Sequence, residues 1–175
     1  LLAFPDTYEV AMSHLGLRLL YHRVNARRAT FCDLACAPWP DMETQMRRDG
    51  MPLFGLETRR AARAFDAIGF SLGYELGYTN VLNMLDLAGL PLLAADRDEK
   101  HPLVIAGGSC CLNPEPMAGI IDVFVLGEAE EALDEVLERY RKRRGVDDRE
   151  TFVCEVPSVE GVYVPALYEP HYDAD

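Results

Sequence analysis

Leu103-Val104-Ile105-Ala106-Gly107-Gly108 is the stretch on which the fold turns. Four consecutive apolar residues that run into two glycines describe a short strand covered on both faces, the kind found inside parallel sheets. Toward the C-terminus the pattern recurs in Asp122-Val123-Phe124-Val125-Leu126, which passes through Gly127 into a helix predicted to about Arg144. That helix carries Glu128, Glu130, Glu131, Asp134 and Glu135 early and Arg139, Arg141, Lys142, Arg143 and Arg144 late, an order that complements the helix macrodipole at both ends. Toward the N-terminus, Asp66 to Leu72 reads as a buried central strand, followed by a helix from Tyr74 to about Ala88 that Gly89 and Pro91 end. Thr30 to Ala37 is β-compatible and stops at Pro38-Trp39-Pro40, since prolines close a strand rather than continue one. Asp41 opens a short helix that stops at Gly50. Leu1 to Pro5 is a first strand, and Val10 to about Asn25 has the apolar spacing of one amphipathic helix.

Short apolar strands alternating with helices predict an α/β domain. The expected architecture is a doubly wound, mainly parallel five-stranded sheet of flavodoxin or Rossmann type. In such sheets ligands bind beyond the carboxyl ends of the strands. Candidate chemistry therefore lies at Pro5 to Tyr8, Ser71 to Tyr74, Gly107 to Cys110 and Gly127 to Glu130.

Composition narrows the function classes. The 175 residues carry 17 Lys+Arg against 29 Asp+Glu, a formal charge of −12. A chain this acidic is a poor nucleic-acid or anionic-membrane binder, because displacing counterions from phosphate needs a basic surface. No apolar run approaches the roughly 18 to 20 residues of a membrane-spanning helix. Five cysteines, an odd number, in a chain of this size and apolarity point to a reduced, cytoplasmic setting rather than a disulfide framework. The charge is uneven. Residues 146–175 hold eight acids and one base, a net of −7, while residues 1–145 hold 21 acids and 16 bases, a net of −5. The expected organisation is an α/β domain over 1–145 and an acidic extension or linker over 146–175.

Each motif has a plain reading beside a functional one. Gly107-Gly108-Ser109 at a strand end is either a tight turn or a close-approach site for a phosphate or ring edge. Gly127-Glu128-Ala129-Glu130 is either helix-start chemistry or a pair of carboxylates that accept hydrogen bonds from a polar cofactor. Ser71 is either a serine near a helix start or a hydroxyl in the crevice, with Tyr74 and Glu75 beside it. Neither G-x-G-x-x-G after the first strand nor G-x-x-x-x-G-K-[ST] occurs, which disfavours ordinary dinucleotide and P-loop chemistry. Cys32 and Cys36 share one side of a strand, Cys110 and Cys111 are adjacent, and no C-x-x-C pair exists, so a metal centre within the chain is not expected. The four histidines are scattered, and no hydrolytic constellation stands out.

Together these strand-end residues resemble a known family. Gly107-Gly108, then Asn113-Pro114-Glu115-Pro116, then Val123-Phe124-Val125-Leu126-Gly127-Glu128-Ala129-Glu130 is similar to a run in the cobalamin-binding domains at the N-terminus of many radical S-adenosylmethionine (SAM) enzymes. The similarity extends through Phe4-Pro5-Asp6-Thr7-Tyr8-Glu9-Val10, Ala37-Pro38-Trp39-Pro40-Asp41, Gly69-Phe70-Ser71-Leu72 and Tyr78 to Gly89, and reaches Gly161-Val162-Tyr163-Val164-Pro165. The resemblance implies an N-terminal cobalamin-binding-like domain of a radical SAM protein. Its partner would be a (β/α) barrel of the same protein, whose C-x-x-x-C-x-x-C cysteines hold a [4Fe–4S] cluster that cleaves S-adenosylmethionine. Cys32 and Cys36 have the first spacing of that motif, but Trp39 stands at its third position. The cluster and S-adenosylmethionine are therefore assigned to the barrel, not to these residues.

Many cobalamin domains carry D-x-H-x-x-G after the first strand, with the histidine on cobalt. Here the aligned residues are Asp6-x-Tyr8-x-x-Ala11. A neutral phenol, with a pKa of about 10, is a weak cobalt ligand, and His14 lies too far along the expected helix to substitute. The resemblance implies a cofactor crevice formed by Asp6, Tyr8, Ser71, Gly107, Gly108, Ser109, Gly127, Glu128 and Glu130. Two readings stay open: cobalamin held without a histidine ligand, or a docking and scaffold module with a vestigial pocket.

Overall fold

The computed structural model describes residues 1–143, 149–169 and 171. Six strands form one sheet: β1 (Leu2–Phe4), β2 (Leu34–Cys36), β3 (Ala67–Ser71), β4 (Leu103–Gly107), β5 (Val123–Val125) and β6 (Val162–Tyr163). The order is β2-β1-β3-β4-β5-β6. Every pairing from β2 to β5 is parallel, and β6 joins antiparallel through Phe124 opposite Tyr163 and Val125 opposite Val162. Helices α1 (Tyr8–Ser13), α2 (Leu15–Asn25), α3 (Pro40–Asp49), α4 (Tyr78–Leu87), α5 (Ala129–Arg143) and α6 (Arg149–Glu155) complete the domain.

The side-chain alternation of the strands sorts the core into two layers. Ala3, Ile68, Phe70, Val104, Ala106 and Phe124 meet Met46 of α3 and Val81, Met84 and Leu85 of α4 on one face. Leu2, Phe4, Leu103, Ile105, Val123 and Val125 meet Leu17 and Val24 of α2, Leu133 and Val136 of α5 and Phe152 of α6 on the other. Helices on both faces of a mostly parallel sheet make this a doubly wound α/β fold, with the switch in strand order between β1 and β3.

Local chemistry accounts for the element ends. Pro40 occupies the first turn of α3, where its missing N–H costs nothing, and Gly50 closes that helix at φ 64°. Gly89 turns the chain at φ 69° after α4. Glu130 and Glu131 open α5, and Arg141, Lys142 and Arg143 close its described part. Arg144 lies outside the described residues.

Three expectations change. The single helix from Val10 is two helices, because His14 takes extended backbone (φ −83°, ψ 107°) and ends α1 while beginning α2. The sheet has six strands rather than five. The sixth comes from residues that the charge count places in an acidic extension. Phe152, Val156, Val159 and Val164 are all buried in the same layer as Leu133 and Val136. Arg149 reaches the carboxylate of Asp122 and the carbonyls of Asp98, His101 and Pro102. Of the acids counted in that segment, Asp147, Asp148, Asp173 and Asp175 lie outside the described residues. The net charge hid a short apolar pattern that needs β5 beside it before it can become a strand.

Among the described residues, no helix is long and apolar enough to cross a membrane.

Candidate cofactor cleft at the strand ends

Two glycines hollow the sheet on the α2 and α5 side. Ala67 and Ile105 pack into that layer, so Gly69 and Ser71 of β3 and Gly107 of β4, two residues further on, present the same face. With no side chains at 69 and 107, a cleft of about 250 Å³ remains between the sheet and the helices. Ile105 and Val125 complete its floor, Gly16 and Leu20 of α2 form one wall, and Ala129 and Leu133 of α5 form the other. Arg23 and Arg27 bridge the walls further along, Arg23 to Asp134 at 3.0 Å and Arg27 to Asp134 at 2.9 Å.

Backbone geometry at the mouth requires glycine at position 108. Its φ is 118°, and a Cβ there would lie 2.4 Å from the Leu72 carbonyl oxygen. That tight passage lets the Leu72 N–H donate to Gly107 O at 2.7 Å and the Cys110 N–H donate to Leu72 O at 3.2 Å. Gly127, at φ 85°, makes the corresponding turn from β5 toward α5 and brings Glu128 and Glu130 to the cleft.

The expected site residues divide into two groups. Ser71, Gly107, Gly108, Gly127, Glu128 and Glu130 line one cleft. Asp6, Tyr8 and Ser109 do not. Asp6 is engaged elsewhere: one carboxylate oxygen accepts the Thr7 N–H at 2.7 Å and the other accepts the Tyr74 hydroxyl. That bond, first among the causes, raises the Tyr74 pKa, since losing the phenolic proton would oppose two anions. Tyr8 is 54% exposed on the first turn of α1. The Ser109 hydroxyl donates to Gly73 O at 2.9 Å. Ala11, at the motif's glycine position, is fully buried beneath α1.

His14, set aside on sequence distance, lines the cleft together with Gly16. It gets there because the chain bends at His14 itself, which shortens the path relative to one continuous helix. Its Nδ1 accepts the Leu17 N–H at 3.1 Å and so caps α2, while its ring packs 5.3 Å from that of Phe4. A side chain at Gly16 would come within 3.2 Å of the imidazole. Gly69 was the missed sequence signal: a glycine inside a buried strand marks a close approach. Among the described residues, the cleft's side-chain polar groups are His14, Ser71, Glu128 and Glu130, and no Lys or Arg lines it. It therefore suits a flat, uncharged ring with hydroxyl or N–H groups directed at the carboxylates.

The cysteines are placed apart from this cleft. Cys32, Cys36 and Cys111 are buried, Cys110 is half-buried and Cys154 is exposed. Burial, the largest cause, pushes the Cys36 thiol up to about 11 and the Cys111 thiol up to about 12, so both stay protonated packing groups at neutral pH. Among the described residues, no group of three or more His, Cys, Asp or Glu could hold a metal ion.

A mostly parallel, doubly wound sheet with a cleft at its carboxyl edge defines a Rossmann- or flavodoxin-like α/β domain. Residues 16–165 match the family described as radical SAM proteins, N-terminal, and the chain belongs to that family. No curated protein and no solved structure matches it.

Proposed function

We propose that this chain is the accessory domain of a radical SAM enzyme that holds cobalamin at the carboxyl ends of its strands, without a cobalt ligand at Tyr8. The observation that carries the reading is the glycine-floored cleft beside Gly107-Gly108. Its volume of about 250 Å³ is below the usual range for a whole drug-sized ligand, about 300–1,000 Å³, so the corrin ring would stay outside it and only the nucleotide tail would enter. Gly69, Gly107 and Gly108 would offer backbone to the tail's flat ring, and Ser71, Glu128 and Glu130 would accept hydrogen bonds from its sugar. Tyr74 and Leu112, which could have closed a vestigial pocket, are absent from the cleft lining and are 38% and 75% exposed. When bound, cobalamin supplies a carrier for a methyl group or electrons. The [4Fe–4S] cluster and S-adenosylmethionine belong to the barrel of the same enzyme.

Titration with hydroxocobalamin, followed by gel filtration and the visible spectrum, tests the reading. A co-eluting corrinoid is expected, and Gly69→Val, which fills the cleft floor, is expected to abolish co-elution while leaving the circular dichroism unchanged. Absence of any corrinoid with the wild-type protein would reject it. That result would favour a docking or scaffold module, the second reading, whose supporting observation is the exposure of Trp39, Leu76 and Leu112 after the ends of β2, β3 and β4.

A further inference from the structure

We infer that His14 is the residue that reads the ligand in this cleft, and that it does so as a hydrogen-bond donor rather than as a metal ligand. This rests on the cleft being the ligand site. The argument begins with the helix cap. A neutral imidazole has one nitrogen with a lone pair and one with a proton. Nδ1 accepts the Leu17 N–H, so its lone pair is committed and the proton sits on Nε2. The nitrogen left for a ligand is therefore an N–H. Coordination of a metal by Nε2 would require that proton to move to Nδ1, which would remove the cap from α2 and set two N–H groups against each other.

The surroundings support this assignment. Gly16 leaves room for the ring, and Phe4 packs against it, so the imidazole is held by its neighbours. Among the described lining side chains His14 alone brings a nitrogen, and the others with polar atoms are a hydroxyl and two carboxylates. Glu128 and Glu130 can only accept while ionised. An entering ring thus meets acceptors at the α5 end and one donor at the α2 end. It must present hydroxyl or N–H groups at one end and an acceptor, such as a ring nitrogen or carbonyl oxygen, at the other.

The test separates this role from simple capping. Aspartate is also a strong N-cap and, when ionised, has no N–H to donate, so His14→Asp keeps α2 closed while removing the donor. The variant is expected to unfold at the wild-type urea concentration and to bind hydroxocobalamin on the order of tenfold more weakly, the loss of one hydrogen bond. Long-range ¹H–¹⁵N spectra of the histidine-labelled protein should show His14 as the Nε2–H tautomer, with its resonance moving on titration. Equal binding by wild type and His14→Asp would overturn the inference and leave the cofactor reading intact. So would an Nδ1–H tautomer, or nitrogen coupling from labelled histidine in the electron paramagnetic resonance of the Co(II) form. If wild type fails to bind hydroxocobalamin the cofactor reading fails, and adenosine becomes the probe. A shifted His14 Nε2–H resonance would then sustain the donor role, and an unmoved one would overturn it too.

Discussion

Replacing Phe152 by alanine measures whether the segment beyond residue 145 is structural. Phe152 lies on α6, is 2% exposed, and packs edge-on against Tyr140 of α5 with ring centroids 5.1 Å apart and planes at 65°. Truncating a buried phenylalanine removes its transfer energy and leaves a cavity, together about 3–5 kcal/mol. A domain of this size has only about 5–15 kcal/mol in total, so the loss is a large share. With a urea slope of about 1–3 kcal/mol per molar, the unfolding midpoint should fall by on the order of 2 M with little change in slope. Urea titration followed by circular dichroism reads this directly. If α6 were part of a solvated linker, the substitution would behave as a surface change, within about 0.5 kcal/mol. A shift that small would refute the burial of α6 against α5.

Three further substitutions probe other parts of the argument. Asp122→Ala leaves the guanidiniums of Arg97 and Arg149, which are 0% and 11% exposed, without their shared carboxylate, and should cost about 3–5 kcal/mol in denaturant unfolding; a loss under about 1 kcal/mol would show that Arg149 does not anchor α6. Gly108→Ala forces a Cβ against the Leu72 carbonyl at φ 118° and should cost at least about 1–3 kcal/mol, seen as a lower melting temperature. An unchanged melting temperature would contradict the tight turn at the cleft mouth. Asp33 is fully buried and accepts hydrogen bonds from the N–H groups of Leu34, Glu57 and Thr58 and from the Thr58 hydroxyl. Burial alone would raise its pKa, but these donors together hold it below the usual carboxylate range. A depressed pKa contributes stability above the unfolded value of about 3.9 and loses it as pH falls through the folded value. Asp33→Asn should therefore be destabilised at pH 7 by about 1–3 kcal/mol, with the gap from wild type narrowing only below about pH 4. A gap independent of pH would exclude the carboxylate's charge as the cause.

Much of this protein is legible without coordinates, and the parts that are not share a reason. Leu103 to Ala106 and Asp66 to Leu72 declare themselves as strands because apolar residues in such runs have few other places to be buried, and the strands run over Leu103–Gly107 and Ala67–Ser71. Gly50 and Gly89 mark helix ends, and Pro38-Trp39-Pro40 the end of the strand before α3, because glycine and proline each constrain their own backbone. The macrodipole order of α5 is likewise local. The pair Val162–Tyr163 could not be recognised this way: two residues form a strand only because Phe124 and Val125 lie beside them. A net charge of −7 over residues 146–175 is a sum, and it says nothing about four apolar side chains facing inward.

The candidate cleft follows the same division. Gly107, Gly108, Gly127, Glu128 and Glu130 were found by their place at strand ends, a rule of connectivity that sequence alone supports. Which of the nearby polar groups face one another was decided by folding. Asp6 and Tyr8 follow β1, yet one is taken by Tyr74 and the other lies on the outer turn of α1. His14 reaches the cleft because the chain breaks at that residue and its own Nδ1 caps the next helix. Sequence by itself determined the α/β class, the strand-end place of the candidate cleft and the likeness to N-terminal domains of radical SAM proteins, because periodicity, turn chemistry and motifs are local. Tertiary structure alone decided that Gly69 opens a cleft, that His14 lines it and that residues near the C-terminus close the sheet, because each depends on which distant segments are packed side by side.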